Sequence, residues 1–384
     1  MRITQVDIFR IALPFNAGRL EKAETPASDG TDAFNAASRH LQRMETLLVR
    51  LSTDDGSVGW GEAFGHLINP VTFAALAGPV GRFFLSAEVT SDPASFAGTI
   101  RAAHQAFHAF GRTGPVLFAL SAIDTALWDL CAQAAGLPLH RLLGADRDEV
   151  SVYASLVSYD NDPAEVAYQV QRAHAAGFEK MKLHETTYAA IAAARQALPT
   201  DVALMVDVNC PWSLDEAQAQ VSGLRDLSLG WVEEPIWPPD DVAGLAALRA
   251  SGVPISAGEN ASGVQGFRTL FEASAIDIAQ PSVAKIGGIS GMLDVIDLAK
   301  SFDVNVVPHC FYYGAGLLAT ANVVATLPRS VSLEIPWLHW PEPLHAAQNT
   351  GAVLQLDTRP GLNFTPNDEV MASYLVDKAS LRAQ

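Results

Sequence analysis

Asp207, Glu233 and Glu259 follow one another at intervals of 26 residues, and each closes a short apolar run: ALMVDVN, GWVEEP and PISAGEN. Three carboxylates gathered at one place repel strongly wherever water is excluded, and an all-oxygen set suits a hard divalent cation such as Mg2+. A single acidic residue at such a point commonly caps the helix that follows; three in register point to metal. Basic side chains accompany them. Lys182 and His184, in FEKMKLHE, are two positions apart, so a strand carries both on one face, one run before Asp207. His309 closes the later run VNVVPH. A substrate carboxylate held by the cation would place its α-carbon between these bases. Such a site stabilises an enediolate and removes or returns an α-proton.

The elements that must bring these residues together are legible as a repeat. From about Ser151 eight short apolar or β-branched runs, SVYASLV, KMKLH, ALMVDVN, GWVEEP, PISAGEN, IDIAQPS, VNVVPH and VSLEIP, recur roughly every 25 residues, with amphipathic stretches in several of the gaps. That pattern predicts a parallel (β/α) barrel whose chemistry lies at the C-terminal strand ends. The first third differs. ITQVDIFRIALP and ETLLVRLSTDDGSVGWGEA predict a three-stranded antiparallel sheet with a hairpin at Thr53–Ser57, followed by alanine-rich helices. Asn16–Ala37 is polar and without period and is expected to be a functional loop. The tail carries a strand-like VLQLD and a helix-like end, expected to pack back on the first lobe.

Composition narrows the function classes. The net charge of −17, from 42 acidic and 25 basic residues, argues against nucleic acid or an anionic membrane as the main partner and leaves room for a cation. Cys131, Cys210 and Cys310 are too few and scattered for a disulfide framework or a CxxC site, so a reducing, cytoplasmic setting is expected. Met1–Arg10 alternates like a first strand and does not resemble a signal peptide. Apolar stretches are interrupted before the ~20 residues of a membrane span.

With GWGEA at Gly59–Ala63, KLH at 182–184, VDVN at 206–209, VEEP at 232–235, SAGEN at 256–260, KIGGISG at 285–291 and VPH at 307–309, the chain resembles the enolase superfamily, in its mandelate racemase-like branch. The resemblance implies an α/β fold: a modified TIM barrel of (β/α)7β type over residues 136–350, with an N-terminal α+β capping domain over 1–135. Residues 351–384 would complete the cap. It further implies Mg2+ on Asp207, Glu233 and Glu259, a small-molecule carboxylate as partner, and a homo-oligomer, dimer or octamer. Glu334, in SLEIP, matches a carboxyl group that supports the substrate carboxylate in that branch.

Two positions depart from the pattern. His184 stands where a second lysine is usual, and Ser282, in QPSVAKIGG, where an aspartate commonly partners the seventh-strand histidine. A serine can hydrogen-bond an imidazole but cannot stabilise imidazolium by charge. His184 is therefore expected to be the principal base, with Lys182 orienting it and His309 a weaker partner or acid. Asn209, Asn260, Glu334 and Ser282 are expected on the substrate side, although either asparagine equally suits a helix cap. His66, in the loop after GWGEA, reads equally as a substrate contact and as an exposed loop residue, and Lys285 has at most a supporting role. The reading that fits best is dehydration of an acid sugar to a 2-keto-3-deoxy acid. Racemisation, epimerisation or cycloisomerisation on the same scaffold is the alternative, and a catalytically silent metal and carboxylate binder the alternative of another class.

Overall fold

The computed structural model describes residues 1–20, 41–347 and 351–383. Of the loop expected at Asn16–Ala37, residues 21–37 lie outside the described residues.

The chain opens with β1 (Ile3–Pro14), β2 (Arg43–Thr53) and β3 (Val58–Ala63), paired antiparallel, with the expected hairpin between β2 and β3. The apolar helix Pro115–Ala135 lies against β3, and GWGEA explains how closely. A Cβ on Gly59 would come within 2.3 Å of the Ala126 carbonyl oxygen, and one on Gly61 within 1.9 Å of that of Ala122. Only glycine admits that approach. This helix is by length and composition able to span a membrane, contrary to the expectation from interrupted apolar stretches, but 83% of its most apolar window is buried inside the protein.

The barrel strands follow: β4 (Glu149–Ser155), β5 (Lys180–Leu183), β6 (Ala203–Asp207), β7 (Val232–Glu233), β8 (Ile255–Ala257), β9 (Ile278–Ala279), β10 (Asn305–Val306) and β11 (Leu333–Pro336). Each of the seven connections carries a helix, and the order is β10-β9-β8-β7-β6-β5-β4-β11, all parallel. This is the (β/α)7β arrangement. Local sequence sets the helix starts: Asp162 accepts from Ala164 and Glu165 N–H ahead of Pro163, and Ser213 with Glu216 forms a capping box.

Period-two alternation fills the barrel in layers. Tyr153, Met205 and Trp231 pack together inside, with Ile278 and Val307 against them. Two residues further along the same strands come Ser155, Asp207 and Glu233, so an apolar floor supports a polar layer.

After the barrel, β12 (Val353–Gln355), expected to pack on the first lobe, pairs instead with barrel strand β4, whose outer end is free to take it, and β13 (Leu375–Arg382) pairs antiparallel with β1 as a fourth strand of the cap sheet. The helix-like end expected for the tail is thus a short helix, Asp368–Ser373, followed by a strand. The open edge of β1, which β13 covers with ladder hydrogen bonds, decides that outcome.

Candidate active site

Lys182 is fully buried at the centre of the polar layer. Its Nζ lies 2.8 Å from Glu334 Oε1, 3.1 Å from Glu233 Oε1 and 3.4 Å from Asp207 Oδ2. Burial opposes its charge, but the surrounding carboxylates outweigh burial and hold its pKa well above the ordinary value. Asp207 and Glu334 are lowered in return: burial would raise them, and Lys182 overcomes it. One ammonium does not balance three carboxylates. Glu233 is the one that burial and the neighbouring Asp207 push well upward, while Trp231 Nε1 (3.0 Å) and Gln280 Nε2 (2.7 Å) donate to its Oε2.

Above this layer opens a cavity of about 920 Å³, lined by His184, Asp207, Asn209, Glu234, Glu259, Asn260, Lys285 and His309 from the barrel and by Phe64–Ile68 from the cap. Glu259 is the anion of the far wall. His309 Nε2 lies 2.6 Å from its Oε2 and Lys285 Nζ 3.2 Å from its Oε1. Burial would raise its pKa, yet these cations hold it well below the usual carboxylate range. His184 stands at the Asp207 end of the carboxylate row, with Nε2 3.4 Å from Asp207 Oδ2. Its Nδ1 is hydrogen-bonded to the Leu156 carbonyl. A carbonyl only accepts, so Nδ1 carries a proton and Nε2 is the ring nitrogen left facing Asp207 at the cavity wall.

The expected site residues therefore separate by depth. Lys182, Glu233 and Glu334 form the buried layer, whereas His184, Asp207, Asn209, Glu259, Asn260 and His309 line the cavity. Glu334 does not reach the cavity wall, because Lys182 and the Cys310 N–H (2.8 Å to Oε2) occupy its carboxylate. Ser282 is also off the wall. Its Oγ lies 3.2 Å from the Tyr312 hydroxyl, and His309 Nδ1 is enclosed without a partner. Asn209 and Asn260 are not helix caps here but hold carboxylates. Asn209 Nδ2 donates to Asp207 (2.8 Å), and Asn260 Nδ2 to both oxygens of Glu234 (2.9 and 3.0 Å).

Alternation from Glu233 turns Glu234 away from the mouth, but the strand ends in a left-handed turn with φ 47° at Glu234, which brings this carboxylate onto the cavity wall. The Cys210 N–H, donating to the Glu234 carbonyl at 2.7 Å, supports that turn. Burial, with Glu259 and Asp207 facing it, pushes the Glu234 pKa up to about 8. The doubled acid of VEEP is the signal for it in the sequence. Lys285 is more than a helix-entry residue: it also sits 4.4 Å over the Phe64 ring.

Among the described residues no three His, Cys, Asp or Glu side chains are already gathered as a metal cage. The donor set nevertheless fits a hard cation, since Asp207, Glu234 and Glu259 share one cavity wall and burial, together with its two neighbours, pushes Glu234 upward, a conflict that a bound cation would relieve.

Residues 165–370 match the enolase C-terminal domain-like family, and residues 26–144 match the mandelate racemase / muconate lactonizing enzyme N-terminal domain. D-galactarolactone cycloisomerase of Agrobacterium fabrum is 28% identical, covering 89% of this chain and 94% of that one. L-talarate/galactarate dehydratase of Salmonella typhimurium is also 28% identical, covering 90% and 86%. The crystal structure of L-talarate dehydratase from a Polaromonas species, complexed with Mg and L-glucarate, superposes with a TM-score of 0.82 at 27% identity over 100% of both chains.

Proposed function

Because the chain belongs to the mandelate racemase / muconate lactonizing enzyme family of enolase-like proteins, we propose that it abstracts the proton α to the carboxylate of an acid sugar, with Mg2+, and expels the β-hydroxyl. The product is a 2-keto-3-deoxy acid. The observation that carries this reading is the carboxylate row with a histidine at each end, His184 beside Asp207 and His309 beside Glu259, in one cavity.

Asp207, Glu233 and Glu259 would hold Mg2+, Glu233 from the layer just beneath the cavity, where it would have to turn from Lys182, and Glu234 beside them on the wall; when bound, the ion supplies positive charge next to the substrate carboxylate as the enediolate forms. The chain's own groups do the rest. Leu156 fixes the His184 ring so that Nε2 takes the α-proton. His309, protonated against Glu259, gives its Nε2 proton to the departing β-hydroxyl, which leaves as water. Lys182 keeps Asp207 ionised and in place. Asn209 and Asn260 orient the carboxylates, and Phe64 and Phe311 exclude water.

A second reading, cycloisomerisation of a sugar lactone, is favoured by the unpartnered His309 Nδ1. A lactone oxygen leaves as a carboxylate and needs less proton donation than hydroxide does. Incubating the Mg2+-supplied protein with aldonates, aldarates and their lactones in D2O separates the readings. Solvent deuterium at C3 of a 2-keto-3-deoxy product formed with loss of water marks dehydration, and ring opening of a lactone without loss of water marks cycloisomerisation. Exchange alone marks epimerisation, and binding without exchange a silent binder. No exchange with any panel member would sink the proposal.

We also assign residues 1–135 to the cap, 136–350 to the barrel and 351–384 to a cap-completing tail, and take the protein as a cytoplasmic homo-oligomer of two or eight copies. The pairing of β13 with β1 and the free state of Cys131, Cys210 and Cys310 support these assignments apart from the copy number, which rests on the family resemblance alone. Sedimentation tests that number.

A further inference from the structure

Away from the mouth, a second cavity of about 490 Å³ opens between the cap and the barrel, and it shares no lining residue with the first. The cap side of it is helix Ala94–Ala106, which buries Phe96, Ile100 and Ala103 in the core. Arg101, His104 and, just past the helix end, His108 recur every three or four residues, so they form a stripe beside that buried face, and all three line the cavity. Arg112 joins them from the loop that follows. The opposite wall is made by the first turns of the barrel helices Gly263–Glu272 and Gly288–Phe302.

A basic stripe on a helix normally faces water. This one faces a wall, and the protein does not neutralise it. Arg10, Arg50, Arg141 and Arg249 each hold a carboxylate, whereas neither Arg101 nor Arg112 has a hydrogen bond or ion pair among the described residues. Asp294, the one acid of the lining, acts on His104: burial lowers the His104 pKa, and the Asp294 charge opposes that. His108 Nδ1 is bonded to the Gln105 carbonyl at 2.7 Å, which leaves its Nε2 for another partner. In a chain of net charge −17, a cavity with two guanidinium groups and one acid is a local reversal of sign. Beneath the charges, Ile100, Leu117 and Ile286 give a buried apolar floor. The volume lies within the roughly 300–1,000 Å³ of small-molecule sites, and with that floor it suits an anion carrying a carbon skeleton. Guanidinium forks match phosphate oxygens in pairs, and a phosphate ester carries about two negative charges, enough to balance both arginines.

We propose that this cavity binds a small organic phosphate, held by Arg101 and Arg112 with its carbon skeleton over Ile100, Leu117 and Ile286, and that the bound molecule ties the cap to the barrel. The site is independent of the reaction assigned to the mouth. The test uses the full chain with Mg2+ and three probes, glucose 6-phosphate, 2-phosphoglycerate and inorganic phosphate, followed by calorimetry and thermal unfolding. Wild type is expected to bind one phosphate ester per chain, more tightly than inorganic phosphate, and to melt at a higher temperature with it. Arg101→Gln and Arg112→Gln alter exposed side chains and should keep the fold; each should weaken ester binding about tenfold, and the double variant should lose both binding and the thermal shift. Arg82→Gln, at an exposed cap arginine outside the lining, should change neither. Phosphate also has affinity for a metal ion at the mouth, so the arginine variants decide: ester binding that survives the double variant lies elsewhere and overturns the site. No binding of either ester by wild type at millimolar concentration overturns it as well, and inorganic phosphate binding as tightly as the esters overturns the assignment of an organic ligand.

Discussion

The mouth of the barrel and the junction between cap and barrel both bury carboxylates, but they stabilise them by opposite means. At the mouth and in the layer beneath it, Asp207, Glu259 and Glu334 face Lys182, Lys285 and His309 and are held ionised, whereas burial and neighbouring carboxylates push Glu233 and Glu234 upward. At the junction, Glu62 reaches from β3 to the N-terminus of helix Ala315–Val324, where the Gly316 N–H donates to it at 2.8 Å. Asp124 accepts from the Ser290 N–H (2.9 Å) and Asp129 from those of Trp60 (2.9 Å) and Leu362 (2.8 Å). No cation stands within salt-bridge distance of these three among the described residues. Burial accordingly lifts Glu62 to about 8, Asp124 to about 7, and Asp129 above its ordinary value. Counter-ions keep Asp207 and Glu259 charged and ready for a cation; at the junction, where only amide donors are at hand, burial pushes the acids toward their protonated forms. The first arrangement serves chemistry and the second serves attachment of the cap.

Breaking the mouth should have the larger effect. Lys182→Met leaves Asp207, Glu233 and Glu334 buried without their ammonium, so a loss of about 3–5 kcal/mol in stability is expected, together with all measurable α-proton exchange. Urea unfolding and exchange in D2O check the two parts. His184→Ala removes only the base proposed for the α-proton. It should leave the fold intact and slow exchange roughly 10²- to 10⁴-fold; full retained exchange would remove His184 from its role as principal base. At the junction the expected effect is on stability alone. Between pH 4.5 and about 8 the folded chain keeps a proton on Glu62 that the unfolded chain has released. Its stabilisation is therefore complete below pH 4.5 and declines by about 1.4 kcal/mol per unit as pH rises toward 8. Glu62→Gln carries no such proton while keeping an acceptor for Gly316. Its melting temperature should fall less steeply over that window, with the remaining slope left to Asp124 and Asp129.

The contrast also separates what pattern reveals from what only packing decides. Barrel strands and the row Asp207, Glu233, Glu259 were legible because period-two alternation and a 26-residue repeat are properties of the chain itself. Depth was not legible. Whether Glu233 or Glu234 meets the cavity depends on a single left-handed φ, which alternation cannot register. Ser282 and Glu334 were placed on the substrate side by position, but Tyr312 and Lys182 take up their hydrogen bonds from below. The terminal strand β13 escaped notice for a related reason. Its partner, β1, lies more than 360 residues away in sequence, and the edge it covers exists only once the cap has formed.

The two histidines of the mouth allow the finest version of the comparison. His184 has its tautomer set by the Leu156 carbonyl, whereas His309 has Glu259 on Nε2 and nothing on Nδ1. The His309 backbone N–H donates to the Pro281 carbonyl at 3.1 Å, so residue 282 follows directly from the contact between the two strand ends. A carboxylate at 282 could accept from Nδ1–H, fix the ring and stabilise imidazolium. With His184 as the proposed principal base, Ser282→Asp should therefore leave wild-type exchange changed only slightly. In a His184→Ala background it should raise the residual exchange about tenfold, because His309 then becomes an oriented base. Ser282→Asn supplies an acceptor of similar size without charge. If Ser282→Asn gives the same gain, orientation alone limits His309; if neither substitution changes the residual rate, the bare Nδ1 is not what separates the two histidines.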